Sequence, residues 1–503
     1  MNRIPPLSIR SMTVSLALLL CSSGAIAQQA AAAREPSRPS ARDSDLNHHL
    51  DELTSKLDSM RQQLIESQSE MDELRSELRS LRQELAERNQ ADTAARDAAA
   101  LRTSVAQLQE ETEVLQAQVK QHDQAKVETS SKFPLRINGA VLVTSIFNSA
   151  NADNFNLPIV AVGKVPWTSE GSLSATARQT LFGFDASGPH LWGAKSYADL
   201  NVDFWGDSSS EDHTSAAGGL RLRTAHARLE WPNRSLGVAL DRPLISPWQP
   251  TSWVTVAVPA LAWSGNLWAW APQLVFTQSA IFNHFDFNVG LIDPPSPNSY
   301  TQGQTGQPSA SERSKQPGYE SRIGFTSSVR DHLINIGAGG YYSRQSYPYG
   351  HNVDAWAASG DWDVALSRML RISGELYRGR AIGGLGGGAF KDYVSSTTEH
   401  YLDGLNAAGG WAQAKITFAP VLEANVSAGL DNAYAADLRD SDQALAPGYY
   451  ASLTRNATLI ANVVYRPKTY LLLSTEFRQI NSRWISGQSN DNHVFGVATG
   501  YIF

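Results

Sequence analysis

Among 503 residues, the side chains whose spacing could do chemistry are charged groups set two apart. His226, Arg228 and Glu230 alternate with Ala225, Ala227 and Leu229. On a strand that spacing puts the polar groups on one face and the apolar groups on the other. Glu320 and Arg322, Arg371 and Glu375, Lys415, and Arg478 recur in the same setting. Charges in such columns do not make or break bonds. They set a field along a wetted wall and hydrogen-bond to passing polar solutes. Arg221 and Arg223 fall out of step with His226 by one residue. Either they lie near a rim, or a bulge turns them inward.

Bond-making chemistry finds no support. The only cysteine, Cys21, lies in the N-terminal segment, so neither a disulfide nor a multi-cysteine metal site is available. The run Gly383 to Gly388 lacks the Gly-Lys-Ser/Thr of a phosphate loop and reads as a flexible outer loop. Asn233-Arg234-Ser235 reads as a turn, and His48 and His49 as polar helix surface. No catalytic, cofactor-binding or metal-binding residue is assigned. A net charge of -7 gives nucleic acid no footing.

The elements that must position these charges are strands. Ser196, Ala198, Leu200 and Val202 alternate with Tyr197, Asp199, Asn201 and Asp203. Leu422 to Asp431 and Leu471 to Arg478 alternate likewise. Segments of about ten residues with this dyad pattern are those of a transmembrane barrel. Connections alternate short (Pro232 to Arg234, Arg330 to His332, Ala419 to Val421, Arg466 to Lys468) and long (148–172, 207–218, 243–266, 293–317, 382–399, 432–448). The pattern predicts 16 antiparallel strands from near Arg136 to Phe503. A closed barrel lets strands cross a bilayer with every backbone group paired. The expected fold is therefore an all-β transmembrane barrel preceded by an α-helical coiled coil.

That coiled coil is read from Leu46, Leu50, Leu53, Leu57, Met60, Leu64, Met71, Leu74, Leu78, Leu81 and Leu85, spaced alternately by three and four with Ser67 in one slot. Such a seam needs a partner helix, so an oligomer is expected. Before it, Arg3 and Arg10, the apolar Met12 to Leu20 and Ala25-Ile26-Ala27 form a signal-peptide pattern. The expected organisation is a signal peptide (1–27), a linker (28–45), a periplasmic coiled coil (46–120), a second linker (121–132) and the barrel (133–503). The barrel holds 26 basic and 29 acidic residues, so total charge argues for no ion preference.

At the C-terminus Phe495, Val497, Thr499, Tyr501 and Phe503 share one face. This ending, with Tyr501 and Phe503 foremost, resembles the signal by which outer-membrane proteins of Gram-negative bacteria reach the barrel assembly machinery. Together with Arg178-Gln179-Thr180-Leu181-Phe182-Gly183-Phe184, Leu220-Arg221-Leu222-Arg223, Gly374 to Arg380 and Gly409 to Gln413, the chain resembles the DcaP-like porins, relatives of the phosphate-selective porins. The resemblance implies a homotrimer in the outer membrane, in contact with its lipids, with the coiled coil in the periplasm. It implies passive diffusion of small hydrophilic solutes, often anions such as dicarboxylates or phosphate. It also implies a third outer loop that enters the lumen, here between Arg242 and Leu267. Residues 243 to 283 carry no Asp, Glu, Lys or Arg, and Trp248, Trp253 and Trp263 make this loop an aromatic, uncharged candidate for a constriction. The alternative function is a structural barrel that the coiled coil tethers to peptidoglycan or a periplasmic partner.

Overall fold

A computed structural model describes Ser76, Glu77, Arg79 and Ser80 and residues 135–164, 166–206, 218–296, 308–329, 332–446 and 448–503. The four early residues are helical and exposed. The signal peptide, both linkers and the rest of the coiled-coil assignment lie outside the described residues.

A small separate hairpin pairs Tyr393–Ser396 with Tyr401–Gly404, and the other strands described between Leu135 and Ile502 form one large antiparallel sheet closed on itself. Its strands are β1 (Leu135–Asn148), β2 in two pieces (Ser172–Thr176 and Leu181–Leu191), β3 (Ala194–Gly206), β4 (Gly219–Trp231), β5 (Arg234–Asp241), β6 (Ala271–Ile281), β7 (Phe285–Ile292) and β8 (Gly318–Val329). They continue as β9 (His332–Ser346), β10 (Asn352–Ala365), β11 (Leu370–Arg380), β12 (Asn406–Ala419), β13 (Leu422–Ala433), β14 (Leu453–Lys468), β15 (Leu471–Trp484) and β16 (Ser489–Ile502). The two pieces of β2 succeed one another along β1, which makes sixteen barrel strands. Pairing of β1 with β16, from Ala140 opposite Ile502 to Asn148 opposite Val494, closes the barrel. Closure leaves the large sheet without an open edge among the described residues, the condition for crossing lipid with strands.

The dyad pattern sorts side chains by environment. Val141, Val143, Phe147, Ile323, Leu376, Val426, Leu473 and Val497 are large, apolar and exposed on the outer face. Between them Thr144, Asn148, Asn425, Ser474 and Asn492 point inward and are buried. An apolar exterior over a polar interior inverts the order of a soluble protein and suits a lipid surround. Exposed aromatic residues gather at both rims. Trp192, Phe282, Phe418, Tyr465 and Tyr501 lie toward the short turns. Phe147, Tyr319, Tyr342, Trp356 and Phe495 lie toward the other end.

Connections at one end run 149–171 (L1), 207–218, 242–270 (L3), 293–317, 347–351, 381–405 (L6), 434–452 (L7) and 485–488, and those at the other are turns of a few residues. The expected turn at Arg466 to Lys468 is displaced. β14 runs through Lys468, and the reversal falls at 469–470, after a register irregularity between Tyr465 and Lys468. Arg466 and Pro467 stay in extended backbone because the irregularity absorbs them.

Candidate functional site

The charged columns converge on the barrel interior. On β4, His226 lies between two carboxylates, with Nδ1 2.9 Å from Asp199 Oδ2 on β3 and Nε2 3.0 Å from Asp241 Oδ2 on β5. Arg228 Nε is 3.3 Å from Glu230 Oε1 on the same face. Arg221 and Arg223 are brought inward by a bulge. Asn201 pairs with Thr224 while Val202 pairs with Leu222, so Arg223 has no opposite number. The extra residue resets the alternation. Leu220 and Leu222 then face outward, and Arg221 donates to Asp203 from Nε at 3.0 Å and Nη2 at 2.6 Å. Arg223 Nη1 also reaches Asp203 Oδ2, at 3.4 Å.

On the opposite wall Arg322 forms a bidentate pair with Asp361, at 2.8 and 2.6 Å. Arg371 pairs with Asp363, and Lys415 with Glu423 at 3.5 Å. Arg478 donates to Glu476 at 2.7 Å and to Thr255 in L3 at 2.8 Å.

L3 is drawn wholly inside. Every residue from 242 to 270 is buried or half-buried. After its first residue, Arg242, which donates to Asn266 within the loop at 3.0 Å, L3 carries no charge, and such a loop can enter a polar lumen only if its backbone groups find partners there. The wall supplies them from almost every side. Glu320 accepts from the Leu244 N–H at 2.7 Å. Glu375 accepts from the Ser246 hydroxyl at 2.5 Å, the Trp248 N–H at 2.6 Å and the Trp411 indole at 3.1 Å. Gln413 accepts from the Thr251 N–H, and Asn462 donates to the Thr251 carbonyl. Gln179 donates to the Val254 carbonyl and accepts from the Val256 and Ala257 N–H groups. Asn456 donates to the Trp263 carbonyl, and Arg221 to that of Ala257. L3 runs close against β12 at Gly265, with φ 99°. A Cβ there would collide with the Gly410 carbonyl.

L1, L6 and L7 lock together above L3. Asp153 in L1 accepts from the Ile159 and Val160 N–H groups and from the Tyr450 hydroxyl of L7. In L6 the buried Lys391 donates to the carbonyls of Ala389, Tyr450 and Leu453 at 2.6, 3.0 and 2.8 Å. Burial pushes the Lys391 ammonium down to about 7 and the neighbouring Asp392 carboxyl up to about 7. Residues 383–389 are buried, which corrects the expectation of a flexible outer loop. The left-handed φ values of Gly386 and Gly388 let the chain fold back, and Asp431 on β13 binds the Gly388 and Ala389 N–H groups.

Each expected site residue has a definite place. Glu320, Arg322, Glu375 and Arg478 face inward, but they are buried, and all but Arg322 bond directly to L3. Arg322 lies beside it through Asp361, which accepts from the Trp248 indole at 2.8 Å. His226, Arg228, Glu230, Arg221, Arg223 and Lys415 keep partial exposure on the interior face, as does Arg371 near the short turns. The three loop tryptophans do not form one surface. Trp248 packs with Leu261 and Trp411, Trp253 with Val254 and the wall of β1 and β14 to β16, and Trp263 with Phe390 and Trp268. Tyr501 and Phe503 lie on the outer face, where Phe503 packs against Phe182 with ring centroids 5.7 Å apart. Asp199, Asp203, Asp361 and Asp363 were not among the expected sites, although each occupies an inward step of its strand. Gln179 carried no strand signal, because it sits in the break between the two pieces of β2.

No protein-family model matches the sequence, and no curated protein sequence matches it. Solved structures do. The outer membrane channel DcaP of Acinetobacter baumannii superposes with a TM-score of 0.58 at 16% identity, covering 75% of this chain and 99% of that one. An anion-selective porin from Comamonas acidovorans gives 0.46 at 10% identity, covering 74% and 100%. OprB of Pseudomonas putida gives 0.47 at 11% identity, covering 73% and 94%. A sixteen-stranded closed barrel, lipid-compatible outside and charged within, thus has the fold of the DcaP-like outer-membrane channels.

Proposed function

We propose that the protein is an outer-membrane porin through which small hydrophilic solutes diffuse passively. The observation that carries this reading is the inverted barrel, with an apolar belt outside and charged columns inside. Solutes pass beside L3, along the part of the wall that L3 does not cover. His226, Arg228, Glu230, Arg221 and Arg223 line this path, and Arg371 and Lys415 line its end near the short turns. L3, uncharged beyond Arg242, contributes shape, and the wall contributes the field. Arginines outnumber carboxylates beside Asp203, which favours small anions such as dicarboxylates or phosphate at that point.

In this reading the long loops face outward and the turns face the periplasm. The chain works as a homotrimer held by the coiled coil and the barrel, and the C-terminal strand ending in Tyr501 and Phe503 carries the assembly signal. Planar-bilayer recordings of the purified protein separate this reading from a structural tether. A porin gives discrete current steps, and a tether whose loops seal the lumen gives none.

A further inference from the structure

Three arginines stand in one row on the outer face of the barrel, close to its long-loop rim. Arg378 on β11, Ala408 on β12, Asn432 on β13, Arg455 on β14 and Arg483 on β15 lie opposite one another in register across five neighbouring strands. Each takes the outward step of its strand, the step that exposes Leu376, Val426, Leu459 and Leu473 lower down. On the same face Arg344 and Arg380 are paired with Asp354 and Asp403. Arg378, Arg455 and Arg483 form no ion pair among the described residues. Arg378 donates to the carbonyls of Gly379 and Ala407 and to Asn406 Oδ1. Arg483 donates to Asn481 Oδ1, and Arg455 Nε is shielded and unpartnered. The three charges are thus met by neutral groups or by none.

Beside the row the wall opens into a groove of about 520 Å³, lined by Ala408, Gly409, Leu430, Asn432, Tyr434 and Ala435. The Arg378 guanidinium lies 4.5 Å from the centroid of the Tyr434 ring and so stands at its edge. Charge on the lipid face is costly at mid-depth and cheap near the interface, where these residues sit. An arginine at that depth suits an anion that the membrane itself supplies, and a phosphate matches its fork of donors. Arg455 and Arg483 are one strand spacing apart and can share a phosphate. Arg378 is three spacings from Arg455, about 14 Å, too far for the same group.

We propose that this face seats a lipid of the outer leaflet whose sugar head group carries two phosphates. One phosphate lies between Arg455 and Arg483 and the other at Arg378. Asn432 meets the sugar between them, and an acyl chain lies in the groove and down β13 over Leu430, Ala428 and Val426. A lipid with one phosphate would fill one end of the row only. Free phosphate would gain from the arginines but not from the groove. The leaflet rests on the reading in which the long loops face outward, whereas the binding depends neither on orientation nor on conduction.

Native mass spectrometry of the full-length protein in detergent, titrated with diphosphoryl lipid A, monophosphoryl lipid A and phosphatidylglycerol, tests the seat. Diphosphoryl lipid A is expected to be retained about tenfold more tightly than phosphatidylglycerol, with the monophosphoryl form between them. Arg378→Gln combined with Arg455→Gln should abolish that preference, and Arg455→Lys alone should keep most of it. Ala408→Phe, which fills the groove without changing charge, should weaken all three lipids. Arg344→Gln, which lies outside the row, should change nothing. Heat-modifiable gel migration checks that each variant is folded. Equal retention of diphosphoryl lipid A and phosphatidylglycerol, or an unchanged preference in the double variant, would overturn the seat. So would displacement of the lipid by an equal concentration of inorganic phosphate. Lower heat resistance of the oligomer in the double variant, with lipid retention unchanged, would give this face to a second copy of the chain instead.

Discussion

Lys391 and Asp392 are adjacent in L6, yet pH acts on them in opposite windows. The Asp392 carboxyl is raised from 3.8 to about 7, so between those values the folded loop holds a proton that the opened loop has lost. Its stabilising contribution is complete below about pH 4 and is lost as pH rises through 7. Lys391 is lowered from 10.5 to about 7, so above pH 7 the opened loop holds the extra proton, and stability rises with pH. The packing of L6 is therefore expected to be weakest near pH 7 and firmer on either side. Hydrogen-exchange protection at Leu385, corrected for the intrinsic rate, measures this. Asp392→Asn should flatten the acid limb and Lys391→Met the alkaline limb. A protection profile that changes in one direction from pH 4 to 10 would contradict the assignment. None of this was legible in the sequence. Neither residue belongs to a periodic element; Lys391 is held by L7 and β14 residues about 60 positions away, and Asp392 by Gly384 of its own loop together with Gln345 and Ser296.

At the scale of elements, strands were legible and loops were not. Alternation by two is a local signal, so the inward placement of His226, Arg228, Glu230, Arg322 and Arg478 could be read from neighbouring residues. The bulge at Arg223 was one of two options that the parity of Arg221 left open, and only the register against Asn201 and Val202 decides between them. The lack of charge in L3 after Arg242 was visible too, but the partners of the loop were not, since Trp248 and Glu375 are brought together only by the closed barrel. The glycine run in L6 misled because glycine marks backbone freedom. Here that freedom is used to fold inward rather than to stay mobile.

Glu375 is the central clamp of L3. Glu375→Ala would leave the Ser246 hydroxyl, the Trp248 N–H and the Trp411 indole without an acceptor, at about 1–3 kcal/mol for each buried donor. Most of that would be relieved by L3 moving away from β11. Single-channel recordings are expected to show larger, noisier steps, and Glu375→Gln should lie between this variant and the wild type. Unchanged conductance in Glu375→Ala would mean that L3 does not depend on this clamp.

For the whole molecule, the sheet spends its apolar residues on the outside and its polar residues on holding a loop within. Polar average composition and membrane residence are thereby reconciled. The coiled coil proposed on the Leu and Met seam from Leu46 to Leu85 would need partner helices, which other copies of the chain would supply. Removing residues 28–132 is expected to lower the temperature at which the oligomer dissociates on a semi-native gel while leaving the barrel folded. An oligomer of unchanged heat resistance would leave assembly to the barrel alone.

In the proposed function, solutes cross the barrel beside a fixed L3. Single-channel recording of the purified full-length protein in planar bilayers, under symmetric and then graded potassium chloride, tests it most directly. Discrete, long-lived steps are expected, with a reversal potential that shifts toward cation preference when Arg228 is replaced by alanine. A protein that inserts, stays folded and passes no current would contradict it.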